Sequence, residues 1–193
     1  MACNSKQKGS KKRVIHIFLV CALLFAIAAT VIVPVIKKQL YPIRYAEYVE
    51  KYSEENNLDP LLVYAVICTE SGFNSRAESA VGARGLMQIT DETCQWIKLK
   101  IEPNSDISFD DMYLPEYNVQ FGSYFFARCI DRYGDLPTAI AAYHSGWGTV
   151  DTLLQNEKYS IDGLTLQVFP YPQMERYVQK VTHAYEVYKD LYE

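Results

Sequence analysis

The hydrophobic pattern divides the chain into a continuous apolar run and a longer stretch with helical spacing. Residues 14–36 (VIHIFLVCALLFAIAATVIVPVI) are apolar, with His16 and Thr30 as the clearly polar members. Farther along, Tyr45, Tyr48, Val49 and Tyr52 recur at helix spacing, and Glu47, Glu50, Glu54 and Glu55 supply the opposite face. Asn56 and Asn57 end that element. Asp59 as N-cap and Pro60 at the first helical position then open another helix. Its residues 61–68 are apolar on all sides, which predicts a central, buried helix, and Gly72 is its expected stop.

Residues 73–109 read as irregular or only briefly helical, with a loop signal at Pro103-Asn104-Ser105-Asp106. A long helix is expected from Pro115 to Tyr133, capped by Gly134. Asp135-Leu136-Pro137 opens a further one over 138–144, ended by Gly146, and a short one follows over 149–155. The last begins after Pro170 and Pro172. Its positions Met174, Tyr177, Val178, Val181, Tyr185, Tyr188 and Leu191 follow i, i+3, i+4, i+7 spacing. No run of alternating strands is present, and residues 164–169 are the best β candidate. The expected fold class is mainly α.

Twenty helical residues at 1.5 Å each span about 30 Å, the thickness of a bilayer core. Residues 14–36 are therefore expected to form a transmembrane anchor. Lys6, Lys8, Lys11, Lys12 and Arg13 precede it without an acid, so residues 1–13 are expected to stay cytoplasmic and the bulk of the chain outside. The rival is a cleavable signal peptide, since Ala26-Ile27-Ala28 has the small-x-small form, and cleavage near Ala28 would give a secreted protein. The apolar run continues past that point to Ile36, which favours the uncleaved single-pass anchor. Residues 37–44 form a juxtamembrane connector, and residues 45–193 one globular domain.

Composition narrows the function. The net charge of −4 gives no footprint for nucleic acid. Cys3, Cys21, Cys68, Cys94 and Cys129 contain no CxxC pair, and His16, His144 and His183 are scattered, so neither metal nor cofactor is expected. A Cys94–Cys129 bridge is conceivable, but thiols are the preferred reading. Sixteen tyrosines stand beside two tryptophans. Their apolar faces and hydroxyls suit sugar binding, and equally the edge of a core.

Glu70 is the oddity, a carboxyl closing a buried helix. Burial and the partial negative charge of a helix C-terminus both favour its protonated form, the state a general acid needs. The bland reading is a last-turn Glu facing water. Around it in sequence, Gly82 and Gly85 permit close backbone approach. Gln88 is an amide among Leu86, Met87 and Ile89 that needs partners. Asn118 and Gly122 sit one turn apart on the long helix, and 143–148 (YHSGWG) is a polar-aromatic turn.

These residues fall into four ordered blocks. Glu70-Ser71-x-Phe73 … Ala77-x-Ser79-x-x-Gly82-Ala83-x-Gly85-Leu86-Met87-Gln88-Ile89 resembles the first motif of the soluble lytic transglycosylase (SLT) catalytic domain, which is goose-lysozyme-like. Pro115-Glu116-x-Asn118-x-x-x-Gly122-x-Tyr124 resembles its second block. Ala139-x-Ala141-Ala142-Tyr143-x-x-Gly146-x-Gly148-x-Val150 resembles its AAYNAGxGxV block, and Tyr177-Val178-x-Lys180-Val181 its closing helix. The resemblance covers about residues 45–190. It implies that Glu70 is the catalytic acid. It places Ser79 and Gln88 at the sugar site, Tyr143 near the acid and Asn118 facing the groove; Thr90, His144 and Tyr177 are further candidate substrate contacts. Departures occur at Thr90-Asp91 (often Met-Pro), His144-Ser145 (Asn-Ala), Trp147 (commonly Pro) and 173–175 (QME for ETR).

The resemblance implies action on peptidoglycan glycan strands. Most glycosidases use two carboxylates, whereas Glu78, Asp91, Asp110 and Asp111 look solvated here. One acid fits a substrate-assisted route to a 1,6-anhydromuramic product. The alternatives are a lysozyme-type muramidase that hydrolyses the same bond and a catalytically silent, membrane-tethered peptidoglycan-binding module.

Overall fold

The computed structural model describes the backbone of residues 3–193 and the side chains from Arg13 onward, except those of Val14 and Ile15. The expected cytoplasmic cluster Lys6, Lys8, Lys11 and Lys12, together with Cys3, lies outside the described side chains. The chain divides into two compact units, Met1–Pro42 and Ile43–Glu193.

The first unit is helical from Cys3 to Leu40, running through α1 (Cys3–Ile27), a π-helical turn (Ala28–Ile32) and α2 (Val33–Leu40). The π turn lets the Val33 N–H reach back five residues to the Ala28 carbonyl just ahead of Pro34, whose ring cannot donate to the ladder. His16–Leu40, 25 residues, is long and apolar enough to cross a membrane. The helix thus continues four residues beyond the expected 36. Its large apolar side chains, such as Phe18, Leu24 and Phe25, are exposed.

The second unit is built of helices, and no strand occurs among the described residues. They are α3 (Ala46–Glu55), α4 (Pro60–Ser71), α5 (Asp91–Ile101), a 3-10 turn (Phe109–Tyr113), α6 (Pro115–Tyr133), α7 (Leu136–Ser145), α8 (Trp147–Leu154) and α9 (Pro172–Tyr192). α4 is the centre. Leu62 to Ile67 are buried without a break, so neighbours must cover every side of it. α3 and α9 pack on it directly. Asp59 caps α4, its Oδ1 accepting the Leu61 N–H at 2.8 Å, while its other carboxylate oxygen accepts the Tyr185 hydroxyl of α9 at 2.5 Å. At the far end Gly72 takes the left-handed conformation (φ 57°) that stops the helix.

The sequence reading holds for α3, α4 and α6 to α9 and departs in two places. Residues 73–109 contain an eleven-residue helix, α5. Cys94 and Ile97 are its buried positions, too few for a clear apolar stripe. Its definition comes from its ends: Thr90 is the N-cap, Asp91 and Glu92 occupy the first turn, and Lys98 and Lys100 the last. Residues 164–169 form no strand. Instead Asp162 collects the N–H groups of Leu164 and Thr165, and the Leu166 N–H donates to the buried Thr138 hydroxyl at 3.0 Å. Cys21, Cys68, Cys94 and Cys129 form no disulfide. Cys94 and Cys129 are buried, which pushes their thiols up to about 11 and about 12.

α6 approaches the loop after α4 across Gly122. A Cβ there would lie 2.4 Å from Met87 Sδ and 2.7 Å from Met87 Cβ. Gly122→Ala is therefore expected to lower unfolding stability by about 1–3 kcal/mol in urea titration. An unchanged midpoint would mean that Met87 yields freely.

Candidate active site

The last turn of α4 delivers Glu70 and Ser71 to a loop that returns beneath it. The Ser71 hydroxyl donates to the Leu86 carbonyl at 2.8 Å, tying helix end to loop. The loop folds on itself. Arg84 and Ile89 exchange N–H···O bonds (2.9 and 3.0 Å), the Ser79 N–H donates to the Ala83 carbonyl at 2.9 Å, and the Gly85 N–H to the Ala77 carbonyl at 2.9 Å. Gly85 has φ 78°, and a Cβ there would lie 2.1 Å from the Met112 carbonyl oxygen, so glycine is required.

Asn118 holds this loop from α6. It is fully buried. Its Oδ1 accepts the Met87 N–H at 2.6 Å, and its Nδ2 donates to the carbonyls of Arg84 and Met112, both at 2.8 Å. This corrects the expectation that Asn118 faces the groove: its amide is spent on backbone that would otherwise be buried without partners. On the outer side Arg84 pairs with Asp110 at 2.7 Å and lies over the rings of Phe109 and Tyr113.

A cavity of about 220 Å³ opens between the loop, the end of α4, α5, α6 and α7. Of the residues singled out in sequence, Glu70, Ser79, Gln88, Thr90, Tyr143 and His144 line it. Ser79 Oγ accepts the Ala83 N–H at 3.1 Å. Gln88 sits at φ 52°, and its Nε2 donates to the Gly85 and Ala77 carbonyls (2.9 and 3.3 Å), which leaves its carbonyl oxygen as an acceptor at the cavity. Such a backbone conformation in a residue other than glycine marks a position held by its surroundings. The Tyr143 hydroxyl donates to the Met87 carbonyl at 2.7 Å. Thr93, Phe125 and Val81 also line the cavity and were missed. Thr93 is legible only once α5 is recognised. Phe125 carries no signal in the helical pattern of α6.

Tyr177 is buried behind the acid rather than in the cavity wall. Its hydroxyl donates to Glu70 Oε1 at 2.6 Å, and the His144 ring stacks on its face with centroids 4.3 Å apart. Loss of solvent raises the Glu70 pKa from the usual 4.5 to about 7, against the opposing pull of the Tyr177 hydrogen bond. Partial burial lowers the His144 pKa, which favours the neutral ring. Among the described residues lining the cavity, Glu70 is the one carboxylate. Glu78 accepts from Tyr113, Asp110 pairs with Arg84, Asp111 caps at Ser108, and Asp91 starts α5 beside Gln95.

This helical architecture is that of solved lytic transglycosylases. The 70 kDa soluble lytic transglycosylase of Escherichia coli superposes with a TM-score of 0.71 at 23% identity, covering 80% of this chain and 25% of that one. A transglycosylase of Enterobacteria phage PRD1 is 36% identical over 111 residues, 55% of this chain and 38% of the phage protein. The membrane-bound lytic murein transglycosylase C of Actinobacillus pleuropneumoniae is 28% identical over 168 residues, 75% of this chain and 46% of that protein. The family model for the transglycosylase SLT domain matches residues 47–162, and the chain belongs to that family. It spans less than half the length of each of these three relatives.

Two outcomes follow from the acid's surroundings. A carboxyl with a raised folded pKa contributes stability below its ordinary pKa and loses it as pH rises through 4.5 to about 7. Glu70→Gln is therefore expected to match the wild type at pH 4 and to exceed its unfolding stability by up to about 3 kcal/mol at pH 9. Tyr177→Phe removes a bond to the ionised form, so the Glu70 pKa rises. If Glu70 donates a proton, the alkaline fall of kcat/KM, near pH 7 in the wild type, moves to higher pH. A shift to lower pH contradicts this.

Proposed function

We propose that this chain is a peptidoglycan lytic transglycosylase that cuts the β-1,4 bond between N-acetylmuramic acid and N-acetylglucosamine. The observation that carries the reading is a single carboxyl with its pKa at about 7 in a cavity lined by no second carboxylate among the described residues. A retaining or inverting glycosidase of the usual type needs two. One group must then serve as acid and base in turn.

Glu70 donates its proton to the glycosidic oxygen as the C1–O bond breaks, and the N-acetylglucosamine O4 leaves as a hydroxyl. The muramic N-acetyl carbonyl supports the charge at C1. Glu70, now a carboxylate held by the Tyr177 hydroxyl, takes the proton of the muramic C6 hydroxyl, whose oxygen closes on C1. The proton returns to Glu70 and the product carries a 1,6-anhydro ring. The nucleophile is intramolecular, so its effective molarity is high and no positioned water is needed. Gln88 offers an acceptor for a sugar hydroxyl or N-acetyl N–H, and Ser79 and Thr90 add hydroxyls at the same wall.

The N-terminal helix supports membrane anchoring, with residues 1–13 cytoplasmic, 14–36 spanning, 37–44 connecting and 45–193 outside, where the wall lies. The membrane-bound relative named above agrees with an anchored form.

Mass spectrometry of digested cell wall tests the reaction. The expected product end is lighter by one water than a reducing end, and Glu70→Gln is expected to slow clearing by about 10²–10⁴-fold. A reducing muramic end makes the enzyme a muramidase. Equal clearing by both proteins removes Glu70 from the chemistry, and no clearing by either leaves a binding module.

A further inference from the structure

The His144 imidazole stands between the Glu70 cavity and the phenol that holds the acid. Its ring lies nearly flat on the Tyr177 ring, 14° from parallel with centroids 4.3 Å apart. His144 lines the cavity and is exposed, whereas Tyr177 is 7% exposed and lies behind it. The Tyr177 hydroxyl in turn donates to Glu70 Oε1 at 2.6 Å. One face of the phenol is thus covered by a side chain that α7 supplies. The titratable groups around this pair come from four helices: Glu70 from α4, Tyr177 from α9, Tyr143 from α7 and the Cys129 thiol from α6. The Arg132 guanidinium acts on Cys129 but on neither Glu70 nor His144. Burial alone acts on the imidazole, and it favours the neutral ring. A neutral ring brings the acid no charge, so what it supplies is cover. His144 also stands where the chain leaves the pattern of its third sequence block, which has asparagine there.

We propose that His144 is a positioning residue whose ring shields the Tyr177–Glu70 hydrogen bond from the water of the cavity. This rests on the reading of Glu70 as the working acid. Loss of solvent is the larger influence on Glu70, and the Tyr177 bond is the smaller, opposing one. Tyr177 is packed in the buried stripe of α9, so trimming His144 admits water without releasing the phenol. A better-hydrated carboxyl ionises more readily, and its pKa falls. An asparagine at 144 is too small to cover the face of a phenol. His144 therefore keeps the acid of this chain protonated to higher pH than an asparagine there would.

The full chain, solubilised in detergent, labelled with 13C-glutamate and free of substrate, reads the effect at the Glu70 carboxyl. His144→Ala and His144→Asn are expected to lower its titration midpoint by about one pH unit from that of the wild type. His144→Phe restores a neutral ring over Tyr177 and is expected to recover most of that shift. In cell-wall digestion the alkaline fall of kcat/KM moves to lower pH with alanine or asparagine and back with phenylalanine. An unchanged midpoint in His144→Ala overturns the proposal. So does a rise, which would mean that His144 steadies the phenol rather than covers it. A fall that His144→Phe does not reverse also overturns it, since the effect would then belong to the imidazole nitrogens. The midpoint needs no turnover, so a shift reversed by phenylalanine in a chain that yields no anhydro product would retain the shield and dismiss the reaction.

Discussion

The constraint on which the domain depends is the cost of keeping one carboxyl largely out of water. Glu70 sits on the last turn of a helix whose preceding residues, Leu62 to Ile67, are buried on every side. The helix end offers it partial negative charge, the wrong sign for an anion. Its compensation is one neutral donor, the Tyr177 hydroxyl at 2.6 Å. A lysine or arginine there would have driven the pKa far below neutrality. A phenol supports the carboxylate without forcing it, and about 7 is the result. Such a group can give up a proton and take it back with little free-energy difference at neutral pH.

Everything nearby fixes geometry around that group. The loop wall is bound to α4 by Ser71, to α6 by Asn118 and to α7 by the Tyr143 hydroxyl on Met87. These attachments converge on 84–87, the backbone beneath the acid. Gly85 and Gly122 allow it to come that close. A net gain of about 0.5–1.5 kcal/mol per hydrogen bond is modest, but leaving any of these buried groups unpaired costs more. These bonds hold the loop against α4, α6 and α7, with Gln88 in a left-handed conformation at the cavity.

Much of this was legible in sequence. Asp59-Pro60 and Gly72 bracket α4 by local chemistry, and Pro115 and Gly134 do the same for α6. The position of Glu70 at the end of an all-apolar segment marked it before any fold was known. What the sequence hid was long-range or weakly patterned. Tyr177 is 107 residues from Glu70, and its place in the α9 stripe reads as core, with no sign of the hydroxyl's partner. Asn118 was singled out, but its burial under the loop depends on contacts that span 31 to 34 residues. α5 shows few buried positions, so its capping residues define it better than its periodicity does, and with it went Thr93.

Burial at the end of α4 holds the Glu70 carboxyl at a pKa of about 7, so that both its forms are populated at neutral pH. Its carboxyl resonance in 13C-glutamate-labelled protein, assigned by its absence in Glu70→Gln and followed through a pH titration, measures that directly. The expected midpoint is close to 7, far above the ordinary glutamate value. A midpoint near 4.5 would show a solvated carboxylate and contradict it.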